Sequence, residues 1–549
     1  MSADAWWRYG TIYQIYPRSF QDTDGDGIGD LQGILGRLDY LVALGVDALW
    51  ISPIYPSPMA DFGYDISNYC DIDPLFGTLA DFDAMVAASH ARGLRLILDY
   101  VPNHTSNQHP WFLESRSSRS NPKRDWYLWR DPGADGGPPN NWLSNFGGSA
   151  WTLDAQTGQY YLHSFLAQQP DLNWRNPEVR AAMYEALRFW LRRGVDGFRV
   201  DVIYHLIKDA QFRDNPLNPD YQPGEDPAHR LLPKNTIDQP EMQQIVVEMR
   251  NVLQEFDSPQ TQRLLIGEIY LPIDRLAAYY GPEKDGVLQG AQLPFNFHLI
   301  GVQWQAKAID DLVRRYEAIL PSGGAPNWVL GNHDKPRIAS RVGTDSARLA
   351  AMLLLTLRGT PTLYYGDEIG MTDVPIAPDQ VQDPFEKNQP GKGLGRDPQR
   401  TPMQWSNAPH AGFTTGTPWL PLGADVGERS NVASQDHDDA SILVFYRALL
   451  ALRRQHACLN RGHWEPVGVE GDLLAYARIE EGIDCQTDAD SAGDERALVL
   501  LNFGAAPVSV PAAWVTGPKQ LWLSTVAGRT GAIGPGNQLT GDEGVVLGL

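Results

Sequence analysis

Short apolar runs that end in polar residues recur along the first two thirds of the chain. They are Thr11–Pro17, Asp47–Pro53, Leu94–His104, Gly197–Asp201, Leu264–Glu268, Ala291–Phe297, Trp328–Asp334 and Pro361–Glu368. Between most of them the apolar positions change to helical spacing. Leu31, Ile34, Leu38, Leu41 and Val42 form one such stripe, and Met183, Leu187, Trp190 and Leu191 form another. The second helix is punctuated at both ends, by Asn176 as cap, Pro177 in the first turn and Gly194 after the last. Eight strand-then-helix units predict an α/β chain folded as a (β/α)8 TIM barrel. A doubly wound open sheet would carry a Gly-rich phosphate turn, and the sequence has none.

Two stretches break the rhythm. From Thr105 to Trp174 the chain is rich in Asn, Pro, Gly, Ser and Trp with few helical stripes. That predicts a loop-rich subdomain inserted after the third strand, over the barrel mouth. Beyond about residue 460 strand patterns take over at Leu473–Ile479, Ala497–Asn502, Val508–Pro511, Gln520–Ser524 and Val545–Leu549. They predict a C-terminal antiparallel β domain of sandwich type. The expected division is therefore a barrel from 1–104 and 175–460, an insertion at 105–174 and a β domain at 461–549. Glu480–Glu495 reads as an acidic mobile loop.

Charge narrows the ligand. With 45 basic and 67 acidic residues, the net charge of −22 argues against nucleic acid and anionic membranes and for a neutral or cationic small molecule. The N-terminus lacks a basic segment followed by an apolar one, and no run approaches a membrane span. The three cysteines, Cys70, Cys458 and Cys485, are an odd and sparse set. They point to reduced thiols and a cytoplasmic location, with a Cys458–Cys485 bridge as the alternative.

The polar run ends carry the chemistry. In Asp196-Gly197-Phe198-Arg199-Val200-Asp201, strand alternation points Arg199 and Asp201 to one side. A guanidinium there favours an ionised carboxylate, as a nucleophile at a sugar carbon requires; a structural ion pair is the bland alternative. Glu268 closes an apolar run, a setting that favours the protonated acid, and the bland alternative is a buried ion-paired glutamate. Asp334 follows Asn332-His333 and lacks the further ligands of a metal site. Asn103-His104 ends another strand, and each histidine by itself is as readily structural. Paired Asp201 and Glu268 suit glycosidic cleavage with retention if they stand about 5–5.5 Å apart. Separately, Asp22-Thr23-Asp24-Gly25-Asp26-Gly27-Ile28-Gly29-Asp30 alternates carboxylates like the start of an EF-hand loop, but Gly33 stands where the closing glutamate belongs. Asp22, Asp24, Asp26, the Ile28 carbonyl and Asp30 are its candidate ligands for one structural divalent cation, Ca2+ or Mg2+. The alternative is a solvated Asp/Gly turn.

With these residues together, the chain resembles glycoside hydrolase family 13, the α-amylase superfamily, in its α-glucosidase and oligo-1,6-glucosidase branch. The resemblance rests on Gln14–Phe20, Gly63–Ile66, Asp99–Thr105, Gly197–Asp201, Gly267-Glu268, Gly331–Asp334 and Arg400–Trp405. It implies Asp201 as nucleophile, Glu268 as acid/base and Asp334 as the residue that binds the 2- and 3-hydroxyls. It further implies that His104, Arg199 and His333 contact the non-reducing glucose, and that Asp61 and Arg400 pair to close the pocket behind its 4- and 6-hydroxyls. Tyr64 would stack under the ring, with Phe165 and Phe297 as walls. Asp22–Asp30 would be the branch's calcium or magnesium loop.

The resemblance also implies the reaction. It is exo-acting, retaining hydrolysis of maltose-like α-1,4-glucosides, with α-glucosyl transfer to acceptor alcohols. In this branch Val202, after the nucleophile, goes with α-1,6 linkages. Gly267–Pro272 and Gly331–Arg337 resemble a bacterial α-1,4 subgroup, and two motifs outweigh one residue. An oligo-1,6-glucosidase or a sucrose or trehalose isomerase is the alternative enzyme. The non-catalytic rival, a scaffold like the heavy subunits of amino-acid transporters, would need a membrane helix. A monomer and a homodimer are both compatible with the sequence.

Overall fold

The computed structural model describes residues 5–258, 261–423, 430–481 and 494–549. Cys485 and most of Glu480–Glu495 lie outside the described residues, so the loop and the Cys458–Cys485 bridge are not described; among the described residues Cys70 and Cys458 form no disulfide. Among the described residues no helix is long and apolar enough to cross a membrane.

Seven of the eight apolar runs enclose a strand, and the run Trp328–Asp334 shares only Trp328 with its strand. We number the strands β1 (Ile12–Ile15), β2 (Ala48–Ile51), β3 (Arg95–Tyr100), β4 (Gly197–Val200), β5 (Leu264–Gly267), β6 (Leu293–Asn296), β7 (Asn327–Trp328) and β8 (Thr362–Tyr364). They pair in parallel in the order β7-β6-β5-β4-β3-β2-β1-β8. One parallel bridge, Val329 to Thr362, joins the two ends and closes the barrel. Both faces of these strands are buried, which is why they read as continuous apolar runs and not as alternations.

The helix Pro177–Arg192 forms as its punctuation dictates. The Asn176 side chain accepts from the Glu178 N–H, and Gly194 takes φ 97°. Val179, Met183, Leu187 and Trp190 face the barrel and are buried, each contributing about 1.5–3 kcal/mol. The first stripe departs from expectation. It is two short helices, Leu31–Gly36 and Leu38–Leu44, meeting at Arg37, and Val42 is 41% exposed. The break re-phases the second helix, so Leu38, Leu41 and Leu44 face inward and Val42 does not.

Between β3 and β4 the chain builds a small antiparallel sheet from Trp129–Arg130, Trp151–Asp154 and Gln159–Leu162. After the barrel, a six-stranded sheet runs from His463–Glu470 through Leu473–Glu480, Glu495–Asn502, Gly544–Gly548, Lys519–Ser524 and Ala532–Ile533. Its pairs are antiparallel, and Val508–Ser509 pairs with Gln538–Leu539 beside it. The edge strand His463–Glu470 carries a register shift at Pro466 and Gly468 and few buried apolar positions, so it left no pattern to find.

Candidate active site

Register brings the two principal acids together. In the β4/β5 ladder Gly197 pairs with Leu264 and Val200 with Gly267. Asp201 and Glu268 are each the next residue, so they leave adjacent strands side by side, about one strand spacing apart. Gly197 permits this approach, because a Cβ there would stand 2.6 Å from the Leu264 carbonyl oxygen. Both acids line one cavity of about 400 Å³ at the C-terminal end of the barrel.

Arg199 bridges them from behind. Its Nη1 donates to Asp201 Oδ1 and to Asp99 Oδ1, each at 2.8 Å, and its Nη2 lies 2.7 Å from Glu268 Oε2. The Val202 N–H donates to the same Glu268 oxygen at 2.8 Å. To aim that N–H, Val202 takes φ 36°, left-handed backbone that costs a β-branched residue about 1–2 kcal/mol. The guanidinium lies where the sequence predicts, but it does not decide the ionisation of Asp201. Burial, then the Glu268 charge, pushes the Asp201 carboxyl well above the ordinary carboxylate range against the pull of Arg199. Burial also lifts Asp99 to about 6. The two acids face each other under one guanidinium, and the Glu268 charge disfavours ionisation of Asp201 beside it.

Asp334 is tuned the other way. Burial opposes its charge, but His333 and the guanidiniums of Arg400 and Arg396 hold it well below the ordinary range. Arg400 Nη2 donates to Asp334 Oδ1 at 2.8 Å, and Arg400 Nε donates to the His333 carbonyl at 2.7 Å. The expected pairing of Arg400 with Asp61 is therefore corrected. Asp61 pairs with Arg396, whose Nη2 lies 2.6 Å from Asp61 Oδ1, while Arg400 is drawn inward by Asp334 and the strand-end carbonyl.

The imidazoles are neutral donors and acceptors. Burial lowers His104 to about 4 and His333 well below its usual value. His104 Nε2 is within 3.1 Å of both the Tyr64 carbonyl and Gln169 Nε2, and Gln169 donates onward to Asp61 at 3.2 Å. Tyr64 lies flat on His333, with ring centroids 5.5 Å apart, and its hydroxyl is 2.6 Å from His333 Nε2.

Among the expected substrate contacts, Asp61, Tyr64, His104, Phe165, Asp201, Glu268 and Asp334 line the cavity. Arg199, His333, Arg400 and Phe297 do not. The first three are fully enclosed behind Asp201, Tyr64 and Asp334, and Phe297 is covered by Tyr270, stacked on it at 4.3 Å. Tyr270 forms that wall instead. Arg396, Gln169, Phe146, Phe385, His205 and Tyr270 also line the cavity and were not singled out from the sequence. Most stand in loops without periodicity. Tyr270 is the exception, two residues past Glu268 and on the same side as it.

The acidic loop stands apart from these carboxylates. Asp22, Asp24 and Asp30 each offer an oxygen within 4.8 Å of the others. Asp26 is outside that cluster, its carboxylate accepting the Ile28 N–H at 2.7 Å. Three converging hard oxygens fit a divalent cation. Thr414 donates to Asp22, and the Asp22 N–H donates to the Phe413 carbonyl, so the loop is tied to the segment that follows β8.

The family model for the alpha amylase catalytic domain matches residues 14–462. A probable alpha-glucosidase of Rhizobium meliloti is 44% identical over 513 residues, covering 91% of this chain and 89% of the relative. An oligo-1,6-glucosidase of Halalkalibacterium halodurans is 42% identical, covering 87% and 89%. Among solved structures, the alpha-glucosyl transfer enzyme XgtA aligns at TM-score 0.89 with 40% identity over 99% of both chains. The trehalulose synthase MutB from Pseudomonas mesoacidophila MX-45 aligns at 0.87 with 35% identity over 100% of both.

Proposed function

The chain belongs to the alpha-amylase catalytic-domain family, and from that premise we propose that it is a retaining, exo-acting α-glucosidase that cleaves short maltose-like α-1,4-glucosides and transfers glucose to acceptor alcohols. The observation that carries the reading is the Asp201–Glu268 pair on adjacent strand ends, lining one cavity and bridged from behind by Arg199.

Hydrogen-bond geometry divides the labour. Glu268 Oε2 is occupied by the Val202 N–H and Arg199, which leaves Oε1 to carry hydrogen towards the glycosidic oxygen. Asp201 attacks the anomeric carbon as Glu268 protonates the leaving group, and a glucosyl ester forms on Asp201. Glu268, now ionised, takes a proton from water or from an alcohol, whose oxygen displaces Asp201. Both steps invert, so the configuration is retained. Asp334, held ionised by Arg400 and Arg396, supplies negative charge beside the developing oxocarbenium ion. Asp61 and Arg396 close the end of the cavity behind the 4- and 6-hydroxyls, so a chain cannot thread through and only a terminal glucose fits.

Proton NMR of p-nitrophenyl α-glucoside hydrolysis, where the only sugar released is the glycone, tests this directly: α-glucose must appear first, and β-glucose as first product sinks the mechanism. Parallel rates on maltose, isomaltose, sucrose and trehalose decide linkage. Val202 on the cavity wall favours α-1,6 cleavage as the second reading, and faster turnover of isomaltose than maltose selects it. We further propose one structural cation, Ca2+ or Mg2+, on Asp22, Asp24 and Asp30, pinning the segment at Phe413 and Thr414; elemental analysis of purified protein that finds neither metal rejects it.

A further inference from the structure

We propose that Asp383, which does not line the cavity, is the positioning residue that sets the closed end of the pocket by holding Arg396 and Phe385 together. This rests on the α-glucosidase reading above and extends it to a residue outside the substrate's reach.

Asp383 is fully buried, and its carboxylate contacts converge on two wall residues. Its Oδ1 lies 2.6 Å from Arg396 Nη2, its Oδ2 accepts Arg396 Nε at 3.0 Å, and Oδ2 also accepts the Arg396 backbone N–H at 2.5 Å. Its Oδ1 accepts the Phe385 N–H at 3.3 Å, capping the short helix Pro384–Asn388. The lock is reciprocal. Asp397 Oδ2 accepts the N–H groups of Gln382 and Asp383, at 2.6 and 2.9 Å. Two aspartates thus pinch the base of the 383–396 loop from opposite sides.

What the loop presents depends on that pinch. Arg396 shares its Nη2 between Asp383 and Asp61 and reaches Asp334 at 3.4 Å with Nη1. Phe385 meets Phe146 of the insertion edge to face at 5.0 Å, and the Arg396 guanidinium lies over the same ring at 4.9 Å. A guanidinium with free rotamers would lose its fixed approach to the sugar hydroxyls, and a buried fork held by two carboxylates has few. The geometry therefore assigns to Asp383 the fixing of hydroxyl recognition and not of bond cleavage.

The test compares p-nitrophenyl α-glucoside with its 4-deoxy analogue on the wild type and on Asp383→Asn. In the wild type, loss of the 4-hydroxyl lowers kcat/KM. In Asp383→Asn this discrimination shrinks at least tenfold, with most of the change in KM on the intact substrate. Discrimination that stays at the wild-type ratio overturns the proposal, however slow the variant is. Should Asp383→Asn fail to fold, Asp383→Glu carries the same test, because one added methylene keeps the ion pair but displaces Arg396; an unchanged ratio there overturns it equally. A wild type that cleaves no α-glucoside sinks the functional reading itself, whereas an active wild type with unmoved ratios in the variants sinks only the role of Asp383.

Discussion

Two groups of enclosed arginines stand at opposite ends of the barrel and are solvated in different ways. At the cavity, Arg199 is surrounded by carboxylates, those of Asp99, Asp201 and Glu268. At the seam with the C-terminal sheet, Arg453 and Arg478 have only carbonyl oxygens. Arg453 donates to Leu355, Leu357, Leu459 and Gly359, and Arg478 to Thr356 and Gly462. Leu355, Thr356 and Leu357 end the helix Ala347–Thr356, so both cations sit at the negative end of a helix dipole and satisfy its orphan carbonyls. Without an anion, burial lowers Arg453 to about 9 and Arg478 to about 10, whereas Asp99 and Glu268 outweigh burial at Arg199 and raise it. Carboxylates around a buried cation create titrating acids. Carbonyls around one create a joint that titrates with nothing near neutral pH.

The largest test of that contrast is Asp201→Asn. It should lower kcat on maltose on the order of 10⁴-fold or more while the far-UV circular dichroism is unchanged; retained activity would return the Arg199 cluster to a purely structural role. Arg478→Met is the counterpart at the seam. It leaves the Thr356 and Gly462 carbonyls unpaired and should cost roughly 2–4 kcal/mol, seen as a lower Tm, with kcat/KM of the folded enzyme within about twofold. A seam variant that lost activity with its stability intact would erase the distinction. The remaining effect is on pH dependence, and it vanishes at neutral pH. Burial lowers His205, on the cavity wall, to about 3. Between pH 6.5 and 3 the unfolded chain binds a proton there that the native state refuses, so stability falls as pH falls through that window. His205→Phe removes this contribution, about 1.4 kcal/mol for each pH unit inside the window, and should flatten the acid limb of a Tm–pH profile relative to wild type. An unchanged limb would show that His205 takes up its proton without hindrance.

The barrel was legible because its strands are enclosed on both sides and end in polar residues that the fold exposes at one rim. The same regularity placed Asp201, Glu268, Asp334 and His104 on that rim. What could not be read were choices made by tertiary path. Arg396 and Arg400 stand four positions apart around a single 3-10 turn, and nothing local says which one Asp61 meets. Val42 fits the apolar stripe on paper, but a break at Arg37 rotates it outward. The ionisation of Asp201 depends on burial and on Glu268, a residue 67 positions away that only the β4/β5 register brings near.

Barrel closure has a consequence for how the chain is made. β1 is hydrogen-bonded on one side to β8, and Ile12 pairs with Thr362, 350 positions later. At a synthesis rate of about 5–20 residues per second, the first strand waits on the order of tens of seconds with one edge unmated while the rest emerges from the ribosome. An early strand whose partner arrives last is an aggregation hazard. Slowing translation should therefore lower the soluble yield of this enzyme more than that of a protein whose strands pair only with their immediate neighbours.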